Sequence, residues 1–215
     1  MTTFPGSPKL LKGALVTIDP DKPQARQVIE FQYNPETMTR RLEPRAMGGE
    51  GGDKVEVYRL TGTPKETITL SIEIDATDKL EQGDPQVVAA GIHHVLAALE
   101  VLVYPTVETV TQNLSLAQQG NIEIIPPEAP LTLLIWGPER VLPVRLSSLS
   151  ITEEAYDPNL NPIQAKAELS LQVLAYSDFH HDHDGYNRFK THHQNKERLA
   201  RQYQTGSTQN LGVSL

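Results

Sequence analysis

The stretch Ile163-Gln-Ala-Lys-Ala-Glu-Leu-Ser-Leu-Gln-Val-Leu174 decides the fold of this 215-residue chain. It alternates strictly between residue types, with apolar residues at Ile163, Ala165, Ala167, Leu169, Leu171 and Val173. Because successive side chains of a strand point to opposite faces, the alternation predicts a strand with one buried and one hydrated face. At about 3.3 Å per residue it would span roughly 40 Å, which is typical of a barrel or tube wall.

A second stretch, residues 67–75, repeats this pattern with Ile68, Leu70, Ile72 and Ile74 on one face. Shorter strands are predicted at residues 14–18, 28–33, 55–61, 131–136 and 141–152, and residues 55–61 are expected to pair with 67–75. The alternation of residues 141–152 slips by one at Ser147-Ser148, which predicts a β-bulge. Residues 156–162 are rich in turn formers and join this strand to 163–174 as a hairpin. The chain is therefore predicted to be mainly β.

One flanking helix is predicted after Asp84-Pro85, because Asp caps helices and Pro suits the first helical position. Its covered face is expected to hold the apolar residues Val88, Ile92, Val95, Leu96, Leu99, Leu102 and Val103. The opposite face holds Ala90, His94, Ala97 and Val101, with Glu100 as the one charged residue nearby. A surface helix normally shows charge there, so these four residues are predicted to contact another subunit. The alternative is a cover formed by the chain's own loop at residues 106–119.

Composition excludes several classes of function. The net charge is −8, and residues 1–175 hold 14 Lys and Arg against 23 Asp and Glu, which argues against binding a nucleic-acid backbone. No apolar run is long enough for a membrane helix, and residues 1–13 do not resemble a signal peptide, so we expect synthesis in the cytoplasm without membrane insertion. The chain has no cysteine and no nucleophile elbow. We therefore expect neither an enzyme nor a bound cofactor, and Glu153, Glu154 and Asp157 are interpreted as solvated turn charges.

Several segments, in order, resemble the tube-like baseplate adaptors of phage-tail-like contractile injection systems. They are Phe31-Gln32-Tyr33-Asn34-Pro35, residues 127–137 ending in Leu-Thr-Leu-Leu-Ile-Trp-Gly, residues 148–152, Tyr156-Asp157, Asn161-Pro162, Ala165 and Ala167. The resemblance covers roughly residues 10–176. It implies a tail-tube-like β-barrel or sandwich that assembles into a hexameric ring and joins the inner tube to the central spike hub, beside neighbouring baseplate subunits. The polar strand faces are then candidates for the lumen, namely Gln164, Lys166, Glu168, Thr69, Ser71 and Glu73.

The predicted domains are a tail-tube-like domain at residues 1–176 and a polar, His-rich tail at 177–215. Phe189, Leu199 and Tyr203 give the tail one weak apolar face, which predicts a short docking helix from residue 186 to 204. Larger members of the family continue into a LysM module at this place, which leaves an inner tube subunit as an alternative. The tail holds seven metal-competent donors, of which His180, His181 and His183 are the candidate ligands; the others are Asp182, Asp184, His192 and His193. The stretch is nevertheless interpreted as a mobile, solvated linker rather than a metal site.

Two functions of other classes stay open at the level of sequence. The strand pattern alone permits a monomeric β-sandwich that binds a sugar or a peptide. A metal-dependent hydrolase that uses the His-rich tail is the third hypothesis. The ring subunit is preferred, because the long half-hydrated strands, the helix without a charged face and the family resemblance agree.

Overall fold

The fold was analysed in a computed structural model, which describes residues 10–19, 26–45, 60–118 and 129–203. Within these residues, seven antiparallel strands form one sheet in the order β2-β1-β5-β6-β7-β4-β3. The strands are β1 (Ala14–Ile18), β2 (Arg26–Glu30), β3 (Met38–Glu43), β4 (Lys65–Asp75), β5 (Leu131–Ile135), β6 (Val141–Tyr156) and β7 (Pro162–Val173). The helices are α1 (Thr77–Glu81), α2 (Pro85–Ala90), α3 (His93–Glu100), α4 (Val107–Gln118) and α5 (Asp184–Gln202). The predicted α+β class is confirmed, and the described residues form five α-helices, where a flanking helix and a short docking helix at residues 186–204 were predicted.

Strand β7 lies at the centre of the three longest strands, as its alternation predicts. Its core-facing residues from Ala165 to Val173 are buried, and Leu169 lies between Leu70 of β4 and Leu149 of β6. Val87, Leu96 and Leu99 from the α2–α3 region and Phe189 of α5 join the same core. The helices therefore contribute to one core together with the apolar face of the sheet. None of the described helices is long and apolar enough to cross a membrane.

The predicted bulge in β6 is confirmed. The register between β6 and β7 shifts between Leu146 and Ser148, and the Ser147 hydroxyl donates to the Ser170 carbonyl oxygen over 2.8 Å. The extra residue returns Leu149 and Ile151 to the core-facing side, opposite Leu169 and Ala167. One inserted residue therefore keeps both halves of a 16-residue strand on the same core.

The turn between β6 and β7 is closed by Asp157. Its Oδ1 accepts hydrogen bonds from the backbone N–H groups of Asn159 at 2.7 Å and Asn161 at 2.8 Å. Hydrogen bonds from Asn161 hold the pKa of the Asp157 carboxyl below its usual range, with further hydrogen bonds from Asn159. Leu160 has a φ of 66°, and it is the one non-Gly residue with positive φ among the described ranges.

We predict that Leu160→Asn raises the free energy of unfolding by about 0.5–1 kcal/mol, because Asn tolerates the left-handed conformation better than Leu does. Little packing is lost, since Leu160 is 78% exposed. Urea unfolding of both proteins measures the difference. A variant less stable than the parent would contradict the conformational argument.

The predicted single helix of residues 85–103 is wrong. Asp84 caps α2 as expected, accepting from the N–H groups of Gln86 and Val87, but the helix stops at Gly91, whose φ is +54°. Ile92 N–H then donates to the Pro162 carbonyl oxygen over 2.9 Å, and α3 starts at His93. The break changes the helical phase, so Val87 is buried while the predicted core residues Val88 and Val103 are about half exposed.

Two further expectations from the sequence need correction. The described part of the predicted loop at residues 106–119 is helix α4, whose first turn is capped by the Thr106 hydroxyl accepting from Thr109 N–H. The predicted strand at residues 55–61 lies largely outside the described residues, and β4 pairs instead with β3 and β7. β3 was not predicted, because the arginine at its core-facing position 40 interrupts the apolar alternation.

Candidate functional site

The six predicted lumen residues lie together on one face of the sheet. Antiparallel register places Ser71 of β4 opposite Glu168 of β7, and Glu73 opposite Lys166. β6 extends both rows, with Ser150 beside Glu168 and Thr152 beside Lys166. We call these eight residues the polar face: Thr69, Ser71, Glu73, Gln164, Lys166, Glu168, Ser150 and Thr152. It lies directly behind the core on the three longest strands.

Charges on the polar face are few and partly paired. Lys166 Nζ lies 3.3 Å from Glu73 Oε1, and both side chains are largely hydrated, so the pair adds less than about 1 kcal/mol to stability. Gln164 Nε2 donates to Asp75 Oδ2 over 2.8 Å. Glu168 has no ion-pair partner among the described residues. The surface is polar and largely open to solvent, although the Ser71 hydroxyl is buried and has no hydrogen-bond partner among the described residues. Glu168 lies near its middle.

The Phe31–Pro35 motif fastens strands β1 and β2 to the end of β4. The Gln32 amide exchanges two hydrogen bonds with the Asp75 backbone, at 2.7 Å to the carbonyl oxygen and 2.9 Å from the N–H. Asn34 does the same for the segment before β1, accepting from Gly13 N–H and donating to the Leu11 carbonyl oxygen. Phe31 is buried against Trp136, with ring centroids 6.4 Å apart. The role of the motif is therefore structural, because it joins these strands by hydrogen bonds and packing.

Beside the Phe31–Pro35 motif, a cleft of about 440 Å³ opens next to the polar face. Tyr33 and Glu36 line one side, and Ser71, Glu73 and Lys166 line the other. Thr77 donates to Asp75 through its hydroxyl and its backbone N–H, which keeps the pKa of that neighbouring carboxyl below its usual value. The Ser71 hydroxyl in the wall of the cleft has no hydrogen-bond partner among the described residues, so no base is paired with it.

The predicted subunit-contact residues are divided by the break at Gly91. Ala90 ends α2, whereas His94 and Ala97 lie on α3 and Val101 follows it. Ala97 and Val101 are exposed, while Ala90 and His94 are half buried. Helix α4 leaves Ala97 and Val101 uncovered, and it adds exposed apolar residues of its own. Exposed apolar residues thus continue along the sequence from α3 into α4, and we call this set the apolar helix surface: Ala97, Val101, Val103, Tyr104, Val107, Val110 and Leu114.

A buried ionic cluster beneath α5 has no counterpart in the sequence-based predictions. Glu66 is only 3% exposed, and its Oε1 accepts from Arg40 Nε at 2.7 Å, while Lys196 Nζ of α5 lies 3.1 Å from Oε2. Burial raises the pKa of Glu66, but Arg40 and Lys196 outweigh it and hold that pKa below its ordinary value. The available signal was the position of Glu66, two residues before Ile68 and on the same core-facing side of β4.

Helix α5 is anchored on this cluster and on two side chains of its inner face. Phe189 and His192 are buried, whereas Leu199 and Tyr203, which were expected to share that face, are exposed. Neither ring nitrogen of His192 has a hydrogen-bond partner. Burial lowers the pKa of His192 to about 4, with further lowering from Lys196, Arg40 and Arg140 against an opposing effect of Glu66.

We predict that acid weakens the fold through His192. Its folded pKa of about 4 lies below the ordinary 6.5, so the neutral ring contributes fully above pH 6.5 and its contribution is lost as pH falls towards 4. The loss amounts to about 3 kcal/mol. Urea unfolding of the parent and of His192→Leu between pH 7.5 and 4 measures this loss of stability. The variant is the control, because Glu66 titrates in both proteins and only the parent has His192. Parallel pH profiles of the two proteins would contradict this role.

The three histidines considered as metal donors do not come together. His183 Nδ1 accepts from Gly185 N–H at 3.0 Å as the cap of α5, and its ring stacks on Phe179 with centroids 4.9 Å apart. His180 and His181 instead form a cluster with Asp182, and one ligand atom from each lies within 4.8 Å of the others. Asp182 belongs to the set of donors that the sequence offers, and its carboxylate lies beside both rings.

No protein-family model matches this chain, and no curated protein is significantly similar to it. Among solved structures, a chain from the virion of a native gene transfer agent particle is 11% identical, with a TM-score of 0.30 over 75% of this chain and 90% of that chain. A chain from the C6-symmetric tail of an empty gene transfer agent particle gives 11% identity and a TM-score of 0.31 over the same shares. Likeness at this level assigns neither a family nor a function.

Proposed function

We propose that this protein is a structural ring subunit of a contractile injection system, which joins the inner tube to the central spike hub of the baseplate. The observation that carries the proposal is the polar face. Three long strands present a continuous hydrated surface, and the opposite side of the same strands is closed by the core. A channel wall needs both properties, because its inner side must stay wet while its outer side holds it rigid.

The sheet edges support assembly into a closed ring. β2 and β3 are the edge strands of the described sheet, and unpaired edges invite pairing with another chain. Closure of a ring gives every edge a neighbour and leaves none free. Ring closure also explains why an open sheet carries three strands of 11 to 16 residues.

The apolar helix surface is the second contact that the proposal uses. Its residues include Val101, 57% exposed, and Leu114, 60% exposed, on neighbouring helical segments. We assign it, with Ala90 and His94, to contact with an adjacent subunit. The resemblance in sequence supplies the remaining expectations: a homohexamer within the assembled particle, with the inner tube protein, the spike or hub protein and other baseplate subunits as partners. The proposed function involves neither binding of nucleic acid nor insertion into a membrane.

Val101→Asp is predicted to reduce self-association by at least tenfold while leaving the fold intact, since the side chain is exposed in one subunit. The charge would be buried without a partner in the contact. Mass photometry and crosslinking of the purified proteins measure the loss. Gln86→Asp, an exposed change on α2, is the matched control and should associate as the parent does. A strictly monomeric parent at all concentrations and in any particle would contradict the proposed contact.

Deletion of the gene tests the role in the particle. Electron microscopy should show failed tube or baseplate assembly, and complementation with the full chain should restore it. Intact, contracting particles would overturn the proposal. The number of copies per particle separates the variants of the function, because one ring means an adaptor and many rings mean an inner tube subunit. A monomer that binds a sugar or peptide, with no role in a particle, would favour the β-sandwich binding module.

A further inference from the structure

The turn before α5 carries a cluster of donors that the ring function does not use. His180 Nδ1 lies 3.7 Å from Asp182 Oδ2, and His181 Nε2 lies 3.0 Å from Asp182 Oδ1. The two imidazole rings are 4.4 Å apart at their centroids. Two histidines therefore face one carboxylate from positions that are consecutive in sequence, and the three candidate ligand atoms all lie within 4.8 Å of one another.

The donor spacing suits a small tetrahedral cation. Zinc bonds of about 2.0–2.1 Å place neighbouring ligand atoms of a tetrahedron about 3.3 Å apart. The two histidine–carboxylate distances, 3.7 Å to Oδ2 and 3.0 Å to Oδ1, are both close to this value, although they end on different oxygens of Asp182. All three side chains are more than two-thirds exposed, so small rotations can bring the donors together and water can fill the remaining position.

The backbone that carries the cluster is fixed at both ends of the turn. His183 N–H donates to the His180 carbonyl oxygen at 3.0 Å, and His183 in turn caps α5. The Phe179 ring packs so closely on Gly185 that a Cβ there would lie 2.4 Å from it. A mobile tail was the reason to dismiss a metal site at the level of sequence. The cluster stands instead on the start of a docked 19-residue helix.

We propose that His180, His181 and Asp182 form a surface site for a divalent transition-metal cation, with zinc as the best match. Two imidazoles and one carboxylate suit zinc, nickel and cobalt far better than magnesium, which prefers oxygen ligands. Asp184, the next acid along the chain, is paired with Arg188 at 3.0 Å and is not needed. Bound metal ties the turn to the start of α5 and stabilises the docked helix.

Isothermal titration of the full, tag-free chain with zinc chloride at pH 7.5 tests the site. We expect one zinc ion per chain, and His181→Ala and Asp182→Asn should each weaken binding by more than tenfold. His93→Ala, which removes an exposed histidine on α3, is the matched control and should bind as the parent does. The exposed positions leave folding unaffected, which far-UV circular dichroism verifies.

One further readout separates this site from loose binding to histidines. Cobalt should give the visible absorption of a low-symmetry nitrogen and oxygen site in the parent and not in His181→Ala. No zinc binding at pH 7.5, or binding of equal strength in the parent and both ligand variants, would overturn the proposal.

Discussion

Ile72→Asp is expected to prevent folding, with a loss of more than about 4 kcal/mol. Ile72 is 3% exposed, and it lies opposite Ala167 where β4 pairs with β7. A carboxylate there enters the middle of the core, where the described neighbours are apolar. The readout is the amount of soluble, folded protein, followed by urea unfolding of whatever folds.

Glu168→Lys is the matched comparison on the other face of the same pair of strands. Glu168 lies opposite Ser71, the residue before Ile72, and its side chain is exposed. The change should alter unfolding by less than about 0.5 kcal/mol, as exposed substitutions usually do. If the polar face lines a channel, the reversed charge should instead impair assembly or passage of cargo. Equal unfolding by the two substitutions would show that the faces are wrongly assigned.

Gly91→Ala is the second change with a large expected effect, a loss of about 4 kcal/mol in the free energy of unfolding. Two causes add. The φ of +54° is strained for any L side chain, and an added Cβ would lie 2.2 Å from the Pro162 carbonyl oxygen. That oxygen is backbone and also accepts from Ile92 N–H, so it cannot move without releasing α3 from the start of β7.

Gly62→Ala is the control for Gly91→Ala, because nothing lies within 4 Å of a Cβ added there and its φ is not positive. It should leave stability within about 0.5 kcal/mol of the parent. Urea unfolding at pH 7.5 compares the two variants directly. Similar losses in both would mean that the contact between Gly91 and Pro162 does not hold the helices on the sheet.

Strict alternation explains why the centre of the sheet could be predicted. β7, most of β4, the bulge at Ser147 and the hairpin turn at Asp157 are local patterns, and the structure has each of them. The polar face could be predicted from the same alternation, but the contacts between its residues on different strands could not. The contact between Lys166 and Glu73 depends on the register of two strands that are about 90 residues apart in sequence.

The incorrect predictions, which are the unbroken helix and the missed strand β3, concern features that depend on residues distant in the sequence. Apolar spacing continues unbroken through Gly91, so the helix break became visible only with the Pro162 carbonyl oxygen beside it. Arg40 of β3 is partly buried and Glu66, the second residue of β4, is fully buried. Each charge alone contradicts a core position. The pair becomes acceptable together with Lys196, which comes from a helix 130 residues later. A buried charge is therefore not predictable from local alternation when its partner is distant in the sequence.

Cryo-electron microscopy of the isolated particle would show whether this chain forms a ring and which face of its sheet lines the channel. We expect six copies of this chain in one ring between the inner tube and the hub, with Glu168, Lys166 and Ser71 turned towards the channel. A particle without this chain, or a ring whose polar face is turned outward to the surrounding proteins, would contradict it.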